Sequence, residues 1–344
     1  MADVVCLGEA LIDFVALESG VGVGEASGFL RAPGGAPANV AVGVARLGAT
    51  SAFLGKVGDD PFGRFLAYTF AVSGVDIGGM VFDPKHRTGL AFVSLEANGE
   101  RDFCFFRNPS ADMTYAPAEL DRDRITQGRI FHYGSITLID RTSRLTTLAA
   151  IQSAREAGLL LSYDPNLRLP LWPEEAAARK GILSAMRYAD IVKVSAEELA
   201  FLADKQPFVP TLQWDMVSLE RYALRLLKRF PNIGLVVVTL GAGGCFWMRR
   251  QGESGRSAGL SVQAVDTTGA GDGFVAGMLV GLLEQDLVTE SRWRQANTAV
   301  LDALFAQANA VGALTTTKKG AIPALPTAEQ TAAFREQNKT EQQK

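Results

Sequence analysis

The stretch VDTTGAGDGFVAGMLVGLL, residues 265–283, joins a glycine-rich turn to an apolar helical segment. Gly269, Ala270 and Gly271 directly precede Asp272, and the residues after it have the composition of a buried helix. Small residues let successive backbone N–H groups converge, and a helix N-terminus carries partial positive charge. The turn therefore predicts an anion hole, of the kind that stabilises charge on a phosphoryl group during transfer.

Asp272 is the candidate catalytic carboxylate at this turn. A carboxylate beside an anion hole can accept the proton of a hydroxyl group while the hydroxyl oxygen attacks phosphorus. The competing interpretation is structural, since Asp is a favoured helix N-cap residue. Taken with the other motifs of the chain, the catalytic interpretation is the one we favour.

A second glycine-rich segment, APGGAPANVAVGVARLGA at residues 32–49, precedes another predicted helix. Gly34 and Gly35 allow the backbone to approach a small ligand closely, and the Asn39 amide can both donate to and accept from a sugar hydroxyl. Asp13 lies at the predicted end of the first strand, the edge at which ligands bind parallel sheets. Its carboxylate could take two neighbouring hydroxyls, although an isolated Asp there is as often a turn residue.

Short apolar runs alternate with helical patterns through most of the chain, which predicts an α/β fold with a mostly parallel central sheet and helices on both faces. Residues 88–108 depart from this alternation of strands and helices, and their pattern predicts two strands joined near Asn98 and Gly99. A hairpin that is apolar on both faces needs further partners. With the extended stretch at 14–32 it predicts a small β lid, or else an edge hairpin packed on its own domain.

Composition excludes several classes of protein. The 344 residues include 34 basic and 37 acidic side chains, a net charge of −3 that argues against a nucleic-acid or anionic-membrane binder. No apolar run is long enough to cross a membrane. The N-terminal segment lacks the basic region of a signal peptide, so we expect a cytoplasmic protein, with a plastid as the alternative. Three separated cysteines in apolar runs are expected to be reduced core residues: Cys6, Cys104 and Cys245.

The two glycine-rich motifs together resemble those of the PfkB, or ribokinase-like, family of carbohydrate kinases, over about residues 3–330. The stretches FRNPSADM, IFHYGSITL, LSYDPNLRLPLWP and KKGAIPALPT are similar to plant-type fructokinases in particular. The resemblance implies a ribokinase-like domain at 1–330, lid strands within 14–32 and 87–108, and a polar tail at 331–344. It also implies ATP-dependent phosphorylation of D-fructose to D-fructose 6-phosphate, and a homodimer formed through the lid.

The resemblance implies a role for each residue that matches the family motifs. Asp272 would be the base, and Gly269, Ala270 and Gly271 the anion hole. Sugar or phosphate contacts would fall on Asp13, Gly34, Gly35, Asn39, Arg107, Asp164, Asn166 and Arg168. Nucleotide contacts would fall on Lys193, Thr239, Gly241, Gly244, Gly271 and Asn309. A K⁺ ion would lie beside Asp266 and Thr268, and Mg²⁺ would be bound mainly by ATP, with Glu198 reaching it through water.

Four points stay open at this level. Ser195 stands where many ribokinase-like proteins carry the Asn of an NxxE motif. The segment YDPNLR, which holds Asp164, Asn166 and Arg168, could instead be a structural turn. The substrate could be 2-keto-3-deoxygluconate, ribose or a nucleoside, with Arg107 facing a carboxylate, because a few polar contacts decide between such sugars. A non-catalytic regulatory subunit is the alternative from another class.

Overall fold

The computed structural model describes residues 1–95, 101–204 and 215–342. The strands are β1 (Val4–Leu7), β2 (Leu11–Ser19), β3 (Phe29–Gly34), β4 (Ser51–Gly58), β5 (Val75–Asp76), β6 (Met80–Asp83), β7 (Gly89–Leu95), β8 (Arg101–Phe106), β9 (Ile130–Tyr133), β10 (Leu160–Tyr163), β11 (Ile191–Ser195), β12 (Leu235–Thr239), β13 (Cys245–Arg249) and β14 (Ser254–Ser257). The helices are α1 (Ala36–Arg46), α2 (Pro61–Val72), α3 (Arg122–Thr126), α4 (Arg141–Glu156), α5 (Glu175–Met186), α6 (Ala196–Asp204), α7 (Met216–Arg229), α8 (Ala270–Glu284), α9 (Glu290–Gln295), α10 (Thr298–Thr315), α11 (Ala321–Ala324) and α12 (Ala328–Gln342).

The central sheet has ten strands in the order β14-β13-β12-β11-β10-β9-β1-β4-β5, with β6 paired to β4. The pairs from β12 to β5 are parallel, and β13 and β14 extend the sheet antiparallel. Side chains alternate between its faces: Val4 and Cys6 join the core on one side, Val5 and Leu7 the core on the other. Helices α1, α8 and α10 cover the first face and α4 to α7 the second, which confirms the predicted α/β fold.

Helix α8 is apolar around its whole circumference because it is buried between α1 and α10. Its glycines lie against α10: a Cβ on Gly277 would come within 3.0 Å of the Ala308 backbone, and one on Gly281 within 3.1 Å of Leu304. The absence of side chains there lets the two helices approach closely. This packing holds the N-terminus of α8, and with it Asp272, at a defined place over the sheet.

A second sheet of four strands, in the order β3-β2-β7-β8, supplies the small β layer. Phe14 on β2 stacks on Phe92 of β7, with ring centroids 4.9 Å apart, and meets Phe62 of α2 edge-on. The strands begin at Leu11 and reach Gly34, so they extend beyond the predicted stretch 14–32. The predicted turn at Asn98 and Gly99 lies outside the described residues.

Two sequence expectations need correction here. Asp13 is not at the end of the first strand: β1 stops at Leu7, the chain crosses to the second sheet, and Asp13 lies on β2. Cys6 and Cys245 are buried core residues as expected, but Cys104 is exposed on β8. It sits on the outermost strand of a thin sheet, where helices do not cover it.

The predicted polar tail at 331–344 continues α12, which begins at Ala328 and runs to Gln342. A reciprocal capping box starts the helix: Gln330 N donates to Thr327 Oγ1 at 3.2 Å, and Thr327 N donates to Gln330 Oε1 at 3.0 Å. Thr331 is buried, and Arg335 donates to Gln307 of α10. Among the residues described, no helix is long and apolar enough to span a membrane.

Candidate active site

The turn before α8 requires glycine. Gly269 is the N-cap of α8 with φ 79°, in the left-handed region, and a Cβ on it would lie 2.6 Å from the Ala321 Cβ. A Cβ on Gly271 would lie 3.1 Å from Lys193 Nζ, so the lysine ammonium is at the turn. No side chain caps the helix, and of its first residues Ala270 donates its N–H to Thr267 O at 3.3 Å. The following N–H groups of the first turn are placed for an anion.

Asp272 lies in the first turn of α8 and is not its N-cap. It is 7% exposed, and its Oδ2 accepts a hydrogen bond of 2.7 Å from Asn39 Nδ2. Burial raises the pKa of Asp272 to about 6, helped by the charge of Asp164, while the Asn39 bond, Lys193 and Arg168 lower it. A buried carboxylate with a raised pKa next to an anion-binding turn has the properties of a general base.

The second glycine-rich segment forms a close-packed turn under Asp13. A Cβ on Gly34 would collide with the Asp13 carboxylate. Gly35 has φ 111°, and a Cβ there would collide with the Glu9 carbonyl oxygen. The absence of side chains at these two glycines therefore lets the Asp13 carboxylate and the Glu9 backbone pack directly against the turn.

Asn39 connects this turn to Asp272. Its N–H donates to Gly35 O at 2.9 Å in the first turn of α1, and its side chain donates to Asp272. Its Oδ1 is buried and has no hydrogen-bond partner. Since a buried polar atom without a partner is unfavourable, the free Oδ1 fits a ligand hydroxyl that donates to it.

The YDPNLR segment supplies a buried ion pair beside Asp272. Lys193 Nζ lies 2.9 Å from Asp164 Oδ2, and both side chains are less than a tenth exposed. Asn166 adopts φ 45°, and its N–H donates to Asp164 Oδ1, which closes a turn. Arg168 is half-buried and donates to the Leu167 carbonyl. The segment is thus a structural turn and also places two charges next to the candidate base.

Ser195 and Glu198 form a capping box at the start of α6. Glu198 Oε2 accepts from Ser195 N at 2.8 Å, and Glu198 N donates to Ser195 Oγ at 3.2 Å. Glu198 Oε1 accepts from Leu167 N at 2.6 Å. Serine therefore caps the helix in the place of the family asparagine, and both Glu198 oxygens bind backbone N–H groups.

Arg107 lies directly after β8, where its guanidinium pairs with Asp112. The Arg107 side chain is 6% exposed and that of Asp112 is 2% exposed. Burial lowers the pKa of Arg107, but the charges of Asp112, Glu9 and Asp140 outweigh this and raise it. The structure thus places Arg107 in a buried charge cluster at the base of the second sheet, beside Gly89 at the start of β7.

A cavity of about 630 Å³ opens beside the anion turn, next to the strand ends of β11 and β12. It is lined by Lys193, Ser195, Ala196, Glu197, Met216, Leu219, Thr239, Leu240, Gly241, Gly243, Arg256 and Gly271. Three of the predicted nucleotide residues outside the anion turn, Lys193, Thr239 and Gly241, lie on it. Sequence reasoning missed Met216, Leu219 and Arg256, because an amphipathic helix and a short edge strand carry no nucleotide motif.

Gly244 and Asn309, the other two predicted nucleotide residues, are not among the residues that line this cavity and instead contact the segment after β14. Gly244 has φ 88°, and a Cβ on it would collide with the backbone of Ser257. Asn309 Nδ2 donates to Ser257 O, Ser257 Oγ and Ala258 O, each at 3.1 Å. In the structure both residues fix the position of the segment that follows β14.

Asp266 connects two loops next to the anion turn. Its Oδ1 accepts from Thr268 N at 2.9 Å and from Thr268 Oγ1 at 2.7 Å, and its Oδ2 accepts from Gly320 N at 2.9 Å. The N–H groups of Val265 and Asp266 both donate to Thr316 O. Carboxylate and backbone carbonyl oxygens are therefore concentrated here. No group of three or more His, Cys, Asp or Glu side chains is placed to hold a metal ion in the part of the chain that the structure describes.

Comparison with known proteins agrees with this geometry. The chain matches the pfkB family of carbohydrate kinases over residues 1–328. It is 51% identical to a probable fructokinase-7 of Arabidopsis thaliana, over 94% of this chain and 89% of that protein. Among solved structures it is similar to an ATP-bound fructokinase from Xylella fastidiosa (TM-score 0.86, 33% identity, 98% of this chain and 100% of that one). It is also similar to a double-mutant fructokinase from Vibrio cholerae O395 bound to fructose, ADP and potassium ion (TM-score 0.80, 38% identity, 97% and 98%).

The family match covers nearly the whole chain, and a relative is 51% identical to it. The structure also places a carboxylate at a glycine-rich helix N-terminus. The chain belongs to the pfkB family of carbohydrate kinases.

Proposed function

We propose that this protein catalyses the ATP-dependent phosphorylation of D-fructose to D-fructose 6-phosphate. The observation that carries the proposal is the buried Asp272 carboxylate at the N-terminus of α8, aligned by Asn39. The C6 hydroxyl oxygen attacks the γ-phosphorus of ATP, its proton passes to Asp272, and ADP leaves. Since Oδ2 accepts from Asn39, Oδ1 is the oxygen that we expect to receive the proton.

The two substrates occupy opposite sides of the anion turn in this proposal. The sugar binds at Asp13, Gly34, Gly35 and Asn39, where a carboxylate and the unpartnered Asn39 Oδ1 can accept hydrogen bonds from sugar hydroxyls. ATP lies in the cavity beside Lys193, Thr239, Gly241 and Arg256, with its γ-phosphate at the N-terminus of α8. The Lys193 ammonium and the helix N-terminus both stabilise the charge that develops on the phosphoryl oxygens.

The cations of the proposal are Mg²⁺ and K⁺. Mg²⁺ neutralises charge on the ATP phosphates, and Glu198 could reach it only through water because its oxygens already accept backbone N–H groups. The loops held by Asp266 offer a carboxylate and backbone carbonyls, a donor set that suits K⁺. Asp266 and Thr268 would hold that site, while Gly269 and Gly271 keep their N–H groups for phosphate and the Ala270 N–H also donates to Thr267 O.

The substrate is tested by measuring ADP release with fructose, glucose, ribose and 2-keto-3-deoxygluconate. We expect the highest kcat/KM with fructose. The ion pair of Arg107 with Asp112 already neutralises the cation that a carboxylated sugar would need, which disfavours 2-keto-3-deoxygluconate. Preference for another sugar would replace fructose in the proposal. No ADP release with any sugar, together with measurable ATP binding, would instead support the non-catalytic alternative.

The activity is expected to fall on the acid side with an apparent pKa near 6, because burial raises the pKa of Asp272 to that value and the base must be ionised. Below this pH, kcat/KM for the sugar should fall about tenfold per pH unit, and above it the profile should level off. The pH dependence of kcat/KM is measured at saturating ATP. An apparent pKa near 4, the range of an ordinary Asp, would contradict a buried base.

Asp266→Asn is expected to raise the K⁺ concentration for half-maximal activity by about tenfold or more, since the residue orients the loops that would hold the ion. The K⁺ titration is run at constant ionic strength with choline chloride, for the wild type and the variant. Asp76→Asn, which removes a carboxylate paired with Arg124 away from this loop, is the control and should not change the K⁺ requirement. A wild type that is insensitive to K⁺ would remove the ion from the proposal.

We place the enzyme in the cytosol and keep a plastid as the alternative. The three cysteines in the described residues are free, as expected in a reducing compartment. We also propose a homodimer through the second sheet, on which Leu17, Leu30 and Phe106 are more than half exposed. Subcellular fractionation tests the first of these, and the mass of the protein in solution tests the second.

A further inference from the structure

Glu9 is a buried carboxyl group that the reaction does not use. It lies between β1 and β2, is 1% exposed, and its Oε1 accepts from Ala36 N at 2.9 Å. Ala36 is the first residue of α1, directly after Gly35, and the Glu9 carbonyl oxygen packs against Gly35. Glu9 therefore contacts the sugar turn with both its backbone and its side chain.

Glu9 also lies near the charge cluster at the base of the second sheet, because Leu11, two residues further on, pairs with Gly89, and a Cβ on Gly89 would lie 3.3 Å from the Arg107 side chain. Arg107 and Asp112 act electrostatically on Glu9, and Glu9 acts on Arg107. Glu9 Oε2 and Arg107 Nε are both buried, and neither has a hydrogen-bond partner. Burying a carboxylate oxygen or a guanidinium N–H without a hydrogen-bond partner costs free energy. A hydrogen bond between the two would remove that cost.

The cluster lies where the chain enters and leaves the β7–β8 hairpin. Arg107 follows β8 directly, and a Cβ on Gly89, at the start of β7, would lie 3.3 Å from the Arg107 side chain. Asp112 also accepts from Ser110 Oγ, and Ala111 N donates to Arg87 O at 2.8 Å. The two ends of the hairpin are thus connected to each other at Arg107 and Asp112.

We propose that Glu9 is a positioning residue that couples the second sheet to the sugar turn, through Ala36 on one side and Arg107 on the other. Its carboxylate holds the start of α1, and through it Asn39, while its second oxygen pairs with Arg107 when the second sheet closes over the sugar. The inference rests on the proposed sugar-kinase function, because the coupling is read out as sugar affinity. It assigns no catalytic step to Glu9.

Glu9→Gln separates the two contacts. The amide oxygen can still accept from Ala36 N, but the charge that faces Arg107 is lost. We expect the sugar KM to rise about tenfold, with kcat and the ATP KM within about twofold of the wild type. Assays at pH 8 keep the wild-type carboxyl ionised, since burial raises the pKa of Glu9 to about 7.

A double-mutant cycle tests the route of the coupling. The second background carries Arg107→Gln with Asp112→Asn, so that no buried carboxylate is left without its cation. In that background Glu9→Gln should change the sugar KM by less than about twofold. An equal effect in both backgrounds, or an unchanged sugar KM in Glu9→Gln, overturns the proposal.

Glu119→Gln is the matched control. Glu119 likewise accepts from one backbone N–H, that of Ala116 at 2.8 Å, and pairs with a cation, Lys56, at 2.8 Å. It has no contact with the sugar turn, so its sugar KM should equal that of the wild type, and a tenfold rise there would also overturn the proposal. The wild type is assayed first with the sugar panel: failure to use fructose refutes the proposed substrate, and the cycle is then run with the sugar that is used.

Discussion

Asp272→Asn is expected to lower kcat by about a thousandfold, because the amide cannot accept the proton of the attacking hydroxyl. The fold and the ATP site should survive, since an amide oxygen can still accept the hydrogen bond from Asn39 Nδ2. ATP affinity, measured by direct binding, should stay within about threefold of the wild type. Retention of more than a tenth of the wild-type kcat would contradict the role of Asp272 as base.

The same variant makes a prediction about stability. The pKa of Asp272 is raised from 3.8 to about 6 in the folded protein, so the folded state favours the neutral form. This stabilising contribution is fully present below the unfolded pKa and is lost as the pH rises through the folded pKa. At pH 8 the wild type therefore carries an unfavourable buried charge that Asp272→Asn lacks. The Tm of the variant should be higher at pH 8, and the difference should shrink towards pH 4.

Asp121→Asn is the control for these measurements. Asp121 caps α3 by accepting from Arg124 N at 3.0 Å, so this variant also neutralises a carboxylate at a helix N-terminus. It lies away from the anion turn, and its kcat should stay within about twofold of the wild type. If both variants lost activity equally, a general effect of neutralising a carboxylate at a helix N-terminus would explain the result.

Gly269→Ala is expected to lower kcat by about a hundredfold, as losing one aligned donor in an oxyanion-type site does. The new methyl group would lie 2.6 Å from the Ala321 Cβ and 2.9 Å from its Cα, so the turn or α11 must move. Either shift turns the N–H groups of the anion hole away from the phosphate. The φ of 79° adds strain of about 1–2 kcal/mol for any residue with a Cβ.

Gly158→Ala isolates the backbone strain from the change in the anion hole. Gly158 has φ 77°, almost that of Gly269, and no atom lies within 4 Å of its added Cβ. Gly158→Ala should lose about 1–2 kcal/mol of unfolding free energy, and Gly269→Ala should lose more because of the collision with Ala321, but only Gly269→Ala should lose activity. Urea unfolding and steady-state kinetics measure the two effects. Equal activity in the two variants would show that the turn at Gly269 does not hold the phosphate.

The local sequence pattern was enough to predict the tight turns at the two glycine-rich motifs. Gly35 and Gly269 adopt positive φ and stand where a Cβ would collide, as the glycine-rich composition suggested. The apolar runs predicted the central sheet correctly, because strands covered on both faces carry apolar residues at every position. These features depend on residues close together in the chain, so short windows of sequence contain them.

Contacts between distant segments were not predictable in the same way. Arg107 pairs with Asp112 five residues along the chain, but nothing in that segment shows that the buried cluster also includes Glu9. Nothing near Glu198 shows that Leu167 uses one of its oxygens. The capping box of α12 was a local signal, at Thr327 and Gln330, and the polar composition that follows it concealed it.

The sequence by itself determined the glycine-rich turn before α8, the α/β fold and the family, because glycine conformation and apolar periodicity are set by neighbouring residues. Only the tertiary structure decided that Asp13 lies on the second sheet and that Asn39 aligns Asp272 from 233 residues away. The packing of α1 against α8 brings that pair together. The pKa of the carboxylate follows from the same packing, because burial and the charges around it exist only once the chain has folded.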